Sequence, residues 1–161
     1  MIFEPIDNSS ANIVELKVKP RPSADEGAML QPVPHSHCRH TYTLAADKRS
    51  VSGGGIARTV TKIQRHGDSL IGMTGCWDTA VEMREWFKAG ADPDKFPASA
   101  RLDKSTLIVI DQTGIKTWGI GPYPFVIEQR KCAWGTGRDY AEAAMYLVRD
   151  AVSAVEVAIV F

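Results

Sequence analysis

Short apolar segments that end in glycine-containing turns constrain this chain more than any other feature. SLIGMTG at 69–75 is an apolar run that ends in glycine, and TLIVID at 106–111 leads into the turn at 112–114. Runs this short favour strands, because helices typically need about 10 or more residues. Residues 57–73 alternate up to the turn HGD and then become apolar, which predicts a hairpin. Strands joined in this way form antiparallel sheets.

Two later segments are typical of helices. Apolar residues recur near helical spacing within 77–89, Asp78 can cap that helix, and Gly90 can end it. Residues 139–161 are dense in Ala, Leu, Met and Glu, which predicts one long helix. The order of strands, helix, strands and helix therefore predicts an α+β fold in which antiparallel sheets carry helices.

The length and the proline content bound the domain organisation. The chain has 161 residues, and one domain typically takes about 100–200 residues. ANIVELKV predicts a strand at 12–18. Residues 20–40 contain four prolines, so they cannot continue a helix or a central strand. We therefore expect a single domain, 1–161, in which residues 1–19 are joined to the rest by a proline-rich linker.

Charge and cysteine content exclude several classes of protein. The 19 basic and 19 acidic residues give no net charge, so no net field attracts the chain to nucleic acid or anionic lipid. No apolar run approaches the roughly 20 residues of a membrane span, and the first residues lack the pattern of a secretory signal. The three cysteines are widely spaced, which indicates reduced thiols. We therefore expect a cytoplasmic protein with neither a nucleic-acid nor a membrane partner.

Six short motifs follow one another through most of the chain. They are AAD at 45–47, SGGG at 52–55, TKI at 61–63, LIGMTG at 70–75, TLIVIDQTG at 106–114 and GTGRDYAEAA at 135–144. In this order they resemble the proteasome β-subunit superfamily of N-terminal-nucleophile (Ntn) hydrolases, nearest to the small bacterial and phage members related to the HslV peptidase. The resemblance spans about 43–161 and implies a four-layer αββα sandwich, with two antiparallel sheets between outer helices.

The two ends of the chain indicate a changed order of elements. In the family the last long helix is followed by a final strand, whereas this sequence ends at Phe161. Residues 3–16 resemble the segment that follows this helix in small family members. We hypothesise a circular permutation that brings the family's C-terminal strand to the front, since termini close together at the surface tolerate such a change. An unrelated N-terminal extension is the alternative.

The resemblance implies a catalytic centre built on an N-terminal Thr, Ser or Cys whose own α-amine acts as the base. By motif position Asp47 corresponds to the family's buried Asp, and Arg58 falls where the family has a Lys. An Arg cannot release its proton, so Lys62 of the TKI motif is the other candidate. Gly75 matches the glycine whose backbone N–H forms the oxyanion hole.

The GTG motif supplies two further candidates. Thr136 stands where the family has a Ser near the amine of the nucleophile, and Asp139 follows three residues later. Either residue also suits the start of a helix, where a hydroxyl or a carboxylate caps free N–H groups. Both interpretations stay open at this point.

The nucleophile must precede Asp47 by roughly ten or more residues, because a strand and a turn lie between them. Counting back reaches HSHCRH at 35–40, where Ser36 and Cys38 are the nucleophilic side chains. Both are internal, so each needs proteolytic release to gain a free α-amine.

The segment HSHCRH also contains residues that bind transition metals, since imidazole and thiolate suit zinc, copper or nickel. These residues are His35, His37, Cys38 and His40. A run of this kind on a loop is more often a set of solvated polar side chains. SGGG at 52–55 lacks the GK[ST] of a phosphate-binding loop and is better explained as a turn. We therefore predict neither a metal nor a cofactor.

Two functions agree with these residues. The first is an HslV-like subunit of a self-assembled homo-oligomeric ring that hydrolyses peptides or unfolded proteins, with an unfoldase as a candidate partner. The second is a catalytically inactive structural or interaction protein with the Ntn fold. Arg58 in place of a Lys and the lack of a terminal Thr favour the second function.

Overall fold

The computed structural model describes residues 11–18, 40–51, 57–129, 131–147 and 150–160. The strands of this part are β1 (Ala11–Val18), β2 (His40–Asp47), β3 (Arg49–Val51), β4 (Ala57–Thr59), β5 (Ile63–His66), β6 (Ser69–Thr74), β7 (Thr106–Asp111), β8 (Gly114–Trp118) and β9 (Phe125–Ile127). Its α-helices are α1 (Trp77–Lys88), α2 (Arg138–Tyr146) and α3 (Ala151–Val160). Short 3₁₀ turns at Pro93–Lys95 and Ser99–Arg101 lie between α1 and β7.

Strands β5 to β9 form one antiparallel sheet in sequence order. The turn that joins β5 to β6 contains Gly67 at a φ of 55°, and β8 begins at Gly114 with a φ of 123°. Both values lie in the region that glycine enters without a steric penalty. The predicted antiparallel sheet is therefore confirmed.

The hairpin predicted at 57–73 is correct only in its second half. Residues 63–66 pair with β6, whereas Ala57–Thr59 pairs with Arg49–Val51 as a separate two-stranded ladder. The alternating segment is divided because its backbone changes partners: the N–H of Val60 donates to the carbonyl of Lys48, while the carbonyl of Lys62 accepts from Met73.

Both faces of the five-stranded sheet are buried, which explains why β6 and β7 are apolar without alternation. The face towards α1 is formed by Ile71, Met73, Leu107, Val109 and Trp118. The other face is formed by Leu70, Ile108, Ile110 and Ile115, with Tyr42 and Leu44 of β2 packed against it. A strand covered on both sides needs apolar residues at every position.

Helix α1 confirms the helix predicted at 77–89, and its apolar stripe packs into the first of these two cores. The predicted cap is wrong, because the N-cap residue is Cys76 and neither Asp78 nor any other side chain caps the helix by a hydrogen bond. The ring of Trp86 lies edge-on to Phe96 at 5.0 Å and to Trp118 at 6.2 Å between centroids. Its Nε1–H donates to the carbonyl of Asp92 at 2.7 Å, so the buried indole keeps a hydrogen-bond partner.

Strands β1 and β2 form an antiparallel ladder of their own, from Ala11 opposite Asp47 to Val18 opposite His40. Both strands contact β5, and β1 also contacts β6. Gly72 of β6 permits the close approach of β2, because a Cβ at this position would lie only 3.1 Å from Leu44 Cδ2. The ladder therefore packs against the five-stranded sheet and is not hydrogen-bonded to β7.

The single long helix predicted at 139–161 is wrong, because the structure has two helices there. Helix α2 ends at Tyr146, and α3 begins at Ala151, where the Asp150 carboxylate accepts the N–H of Ser153 at 2.8 Å. Such a cap favours the start of a new helix. Small residues then allow α2 and α3 to pack together, and α3 contacts β1 and β2.

None of the helices in the described part of the chain is long and apolar enough to cross a membrane. The predicted linker lies almost entirely outside the described residues, since only His40 of the segment 20–40 is included.

Candidate active site

An ion pair between Asp47 and Lys62 is the centre of the candidate site. Lys62 Nζ lies 2.9 Å from Asp47 Oδ1 and 2.8 Å from Oδ2, so the ammonium bridges both oxygens. Oδ1 also accepts the backbone N–H of Arg49 at 2.7 Å. The side chains of Lys62 and Asp47 are 20% and 37% exposed. The carboxylate is therefore held by a side chain and by the backbone at once, in a partly desolvated position.

Backbone pairing brings these two residues to one end of β6. Asp47 is the last residue of β2, and Lys62 immediately precedes β5. The Lys62 carbonyl accepts the N–H of Met73 at 3.1 Å, which fixes Lys62 two residues from Gly75 along β6. The ion pair and Gly75 consequently belong to the same end of the sheet.

The cation beside Asp47 is Lys62 and not Arg58, which had been matched to the family's Lys. Arg58 lies in β4 opposite Ser50, and its side chain is exposed. The structure thus does not bring Arg58 to the carboxylate. The compact ammonium of Lys62 is also the chemically suitable group, because a Lys can release a proton and an Arg cannot.

Gly75 occupies a position that only glycine fits. Its φ is 101°, and an added Cβ would lie 2.3 Å from the Lys104 carbonyl oxygen and 2.6 Å from the Ser105 Cα. The left-handed φ and the backbone on that side both exclude a side chain. Gly75 follows β6 and precedes Cys76, the N-cap residue of α1. A sharp turn between a strand and a helix therefore presents exposed backbone at this end of the sheet.

The GTG motif approaches the same turn. A Cβ on Gly135, whose φ is 94°, would lie 3.0 Å from Thr74 Oγ1, the side chain that precedes Gly75. Thr136 is exposed beside this contact. The Asp139 carboxylate instead pairs with its neighbour Arg138 at 3.0 Å and is 82% exposed. The structure therefore brings the loop of Thr136 to the site and leaves the Asp139 carboxylate in solvent.

The capping interpretation of Thr136 and Asp139 is wrong. Helix α2 has Gly137 at its N-cap, and no side chain caps it by a hydrogen bond. Gly137 is required there because a Cβ would lie 2.9 Å from the Ala158 Cβ of α3.

Two solved structures share this arrangement of elements. HslV from Trypanosoma brucei matches with a TM-score of 0.55 and 19% sequence identity, over 71% of this chain and 79% of that chain. BPH from Thiobacillus denitrificans, in complex with epoxomicin, matches with a TM-score of 0.51 and 20% identity, over 71% of this chain and 80% of that chain. This chain has the HslV-type fold. The predicted resemblance is confirmed at that level, and so is the α+β class.

No protein-family model matches the chain, and no curated protein matches it in sequence.

Sequence reasoning missed one backbone neighbour of Asp47. The β1–β2 register puts Ala11, the first residue of β1, opposite Asp47. The sequence ANIVELKV predicted the strand itself, but its residues do not indicate that it pairs with the strand that ends at Asp47.

The predicted nucleophiles, Ser36 and Cys38, lie outside the described residues, as do His35 and His37. Their roles stay predictions. Within the described ranges, no group of three or more metal-binding side chains occurs.

The two described cysteines, Cys76 and Cys132, are free thiols in different environments. Cys76 is exposed beside Gly75. Cys132 lines a cleft between β9 and α2, where burial and then the charge of Glu142 raise the pKa of its thiol to about 11. Such a thiol is protonated at neutral pH, so Cys132 is a poor nucleophile.

Proposed function

We propose that this chain is a peptide-bond hydrolase of the Ntn type, with the Asp47–Lys62 ion pair at its centre. The pair is the observation that carries the proposal, because it joins the two charged groups that the chemistry needs beside Gly75. The HslV-type fold supports it, and so does the epoxomicin complex of the related BPH structure.

Each group has a distinct role in the proposed reaction. The hydroxyl or thiol of the N-terminal residue attacks the scissile carbonyl carbon, and its proton passes to the α-amine, whose pKa near 8 leaves much of it neutral. The Lys62 ammonium stabilises the negative charge that develops on the oxygen or sulfur of the nucleophile, while Asp47 holds that ammonium in place. The Gly75 N–H binds the oxyanion, and Thr136 orients the amine. The α-ammonium then protonates the leaving amine, and water hydrolyses the acyl-enzyme.

The β1–β2 register favours Ser10 as a third candidate nucleophile besides Ser36 and Cys38. Ser10 directly precedes Ala11, the residue opposite Asp47. Adjacent Cα atoms are about 3.8 Å apart, so we propose that an amine released one residue before Ala11 serves the ion pair. We propose that cleavage of the Ser9–Ser10 bond releases the catalytic amine. In this scheme β1 is the first strand of the hairpin that leads to Asp47.

The permutation hypothesis remains an alternative proposal for the N-terminal strand. If β1 is the family's C-terminal strand, it should lie beside the family's first strand. A nucleophile released at Ser36 or Cys38 then requires the residues between it and Asp47 to form that first strand. The pairing of β1 with the strand that ends at Asp47 favours the simpler hairpin.

We also propose the complete four-layer αββα sandwich and a homo-oligomeric ring. Packing of α1 on the five-stranded sheet, and of α3 on β1 and β2, supports the four layers. We propose that this ring is cytoplasmic, acts on peptides or unfolded proteins and has an unfoldase as partner, and the fold shared with HslV supports the peptidase part of this proposal.

Mass spectrometry of the purified chain with and without epoxomicin tests the hydrolase. We expect a mature chain that begins at Ser10 and gains one inhibitor per subunit. Ser10→Ala should abolish the labelling, whereas the matched control Ser9→Ala should retain it. A terminus at Ser36 or Cys38 would assign the nucleophile there instead.

An unprocessed chain that takes up no epoxomicin and cleaves no peptide would overturn the proposal in favour of the inactive Ntn-fold protein. The presence of Lys62 at Asp47 makes Arg58 in β4 no sign of an inactive site.

A further inference from the structure

Two hydrogen bonds tie the segment before β7 to the start of α1. Ser105, only 3% exposed, donates from Oγ to the carbonyl of Cys76 at 3.2 Å. Thr79, 2% exposed, donates from Oγ1 to Asp103 Oδ2 at 2.8 Å. Cys76 is the N-cap residue of α1, and Thr79 lies in the first turn of that helix. The segment 103–105 is therefore attached to the helix directly after Gly75.

Helix α1 lacks the usual means of fixing its own start. No side chain caps the helix by a hydrogen bond. In the described part of the chain, the Cys76 carbonyl accepts the backbone N–H of Ala80 and the hydroxyl of Ser105. A capping side chain normally accepts a free N–H of the first turn. The Ser105 hydroxyl does not replace such a cap, because it donates to the Cys76 carbonyl, but it ties the N-cap residue to the segment before β7.

Gly75 lies between two anchored points. Before it, Thr74 pairs with Thr106 in the β6–β7 ladder. After it, Cys76 is held by Ser105. On its side-chain face, the backbone at Lys104 and Ser105 leaves no room for even a Cβ. The orientation of the Gly75 peptide groups is consequently set by the β6–β7 ladder on one side and by Ser105 on the other.

We propose that Ser105 is a positioning residue for the oxyanion donor at Gly75, with the Asp103–Thr79 bond as a second tie. The inference rests on the proposed hydrolase function. A backbone donor helps only if it points at the developing oxyanion, and loss of such a donor typically costs about 10²–10³ in kcat. Partial misalignment should therefore lower kcat and leave KM nearly unchanged, because substrate contacts elsewhere persist.

Kinetics of Ser105→Ala test this assignment. We expect kcat for peptide hydrolysis to fall by about tenfold or more at nearly constant KM, and Ser105→Thr to restore it by returning the hydroxyl. Ser99→Ala is the matched control, since Ser99 also donates to α1, through Glu82, but lies away from Gly75. If Ser105→Ala does not fold, Asp103→Ala tests the second tie at an exposed loop residue, and we expect a smaller fall in kcat.

Amide hydrogen exchange supplies a readout that does not depend on activity. Ser105→Ala should speed exchange at Ala80, whose N–H donates to the Cys76 carbonyl, and Ser99→Ala should not. Unchanged exchange in Ser105→Ala would overturn the tie itself. Faster exchange with unchanged kcat would overturn its positioning role. A wild-type chain that neither hydrolyses peptide nor binds epoxomicin would instead defeat the proposed function, while exchange still reports on the tie.

Discussion

At the residue scale, the Asp47 carboxylate accepts from both a lysine and a backbone N–H where β2 ends. An exposed ion pair contributes little to stability, typically about 0–1 kcal/mol. The Lys62 and Asp47 side chains are only partly buried, so water still weakens the attraction between their charges. The importance of this pair is therefore expected to lie in chemistry more than in stability.

Lys62→Met and Arg58→Met distinguish the two candidate cations. We expect Lys62→Met to reduce the rate of epoxomicin labelling by about 10² or more, because the charge that stabilises the nucleophile is lost. Arg58→Met should change the rate less than about twofold, since its side chain is exposed in β4. Intact-mass kinetics measure both, and equal losses in the two variants would contradict the assignment.

Cys132 predicts a pH-dependent difference in thiol reactivity. Its pKa is raised to about 11 by burial, with a further contribution from Glu142. At pH 8 only about 1 in 1000 of these thiols is ionised, so alkylation by iodoacetamide should be slow and should rise about tenfold per pH unit.

Peptide mapping after timed alkylation measures this rate at Cys132 separately from the other cysteines. In the urea-unfolded chain the same thiol should react at the rate of an ordinary cysteine, whose pKa is about 8.5. A rate in the folded protein that already levels off near pH 9 would contradict the buried position.

At the element scale, the close contact of β2 with β6 depends on Gly72. A Cβ there would lie 3.1 Å from Leu44 Cδ2 and 3.7 Å from Ile108 Cβ. A methyl group is tolerated only if the tip of Leu44 moves, and a branched side chain must separate the two layers. The spacing between the β1–β2 ladder and the larger sheet is therefore set at one position.

Gly72→Val tests this spacing. We expect the free energy of unfolding to fall by about 1–3 kcal/mol, the usual cost of overpacking a core. Gly119→Val is the control, because no heavy atom lies within 4 Å of its Cβ position and its φ is not in the left-handed region. Urea denaturation of both variants gives the comparison, and similar losses in both would contradict the packing argument.

The division between α2 and α3 also belongs to this scale. Composition favours helix throughout 139–161, but composition does not specify where a helix stops. The Asp150 carboxylate caps a second helix, and the contacts of Ala141, Ala144 and Ala154 require α2 and α3 to pack together. Two short helices bury these small residues, whereas one straight helix cannot fold back on itself.

At the scale of the whole molecule, α2 and α3 expose large apolar side chains. Tyr146 is 88% exposed, Leu147 is 74% and Val160 is 76%. Tyr146 and Leu147 are consecutive in the sequence, and exposed apolar surface of this kind is typical of a protein interface. The proposed ring offers an occupant for it, namely a second copy of this chain.

Tyr146→Asp is expected to reduce the assembly. Light scattering should give a multiple of the mature subunit mass for the wild type and a smaller multiple for the variant, because a buried unpaired charge opposes association. Leu102→Asp is the matched control, since Leu102 is also 88% exposed but lies before β7. A monomeric wild type would contradict the ring.

The sequence by itself determined the local elements and, through the order of its motifs, the HslV-type fold. Apolar runs at β6 and β7, the helical stripe of α1 and the glycine turns are all encoded within a few residues. Asp47 and Gly75 were proposed through the family resemblance, since Asp47 ends the AAD strand and Gly75 directly follows the apolar strand β6. Local patterns suffice where the determining contacts are between neighbours in the chain.

Only the tertiary structure decided which residues meet. Lys62 reaches Asp47 because the backbone pairs Lys62 with Met73, and Ala11 lies opposite Asp47 because β1 pairs with β2. Neither contact follows from spacing, since a shift of one residue in register would turn each side chain to the other face. Register is fixed by the packing of whole strands, and that packing is a property of the folded chain.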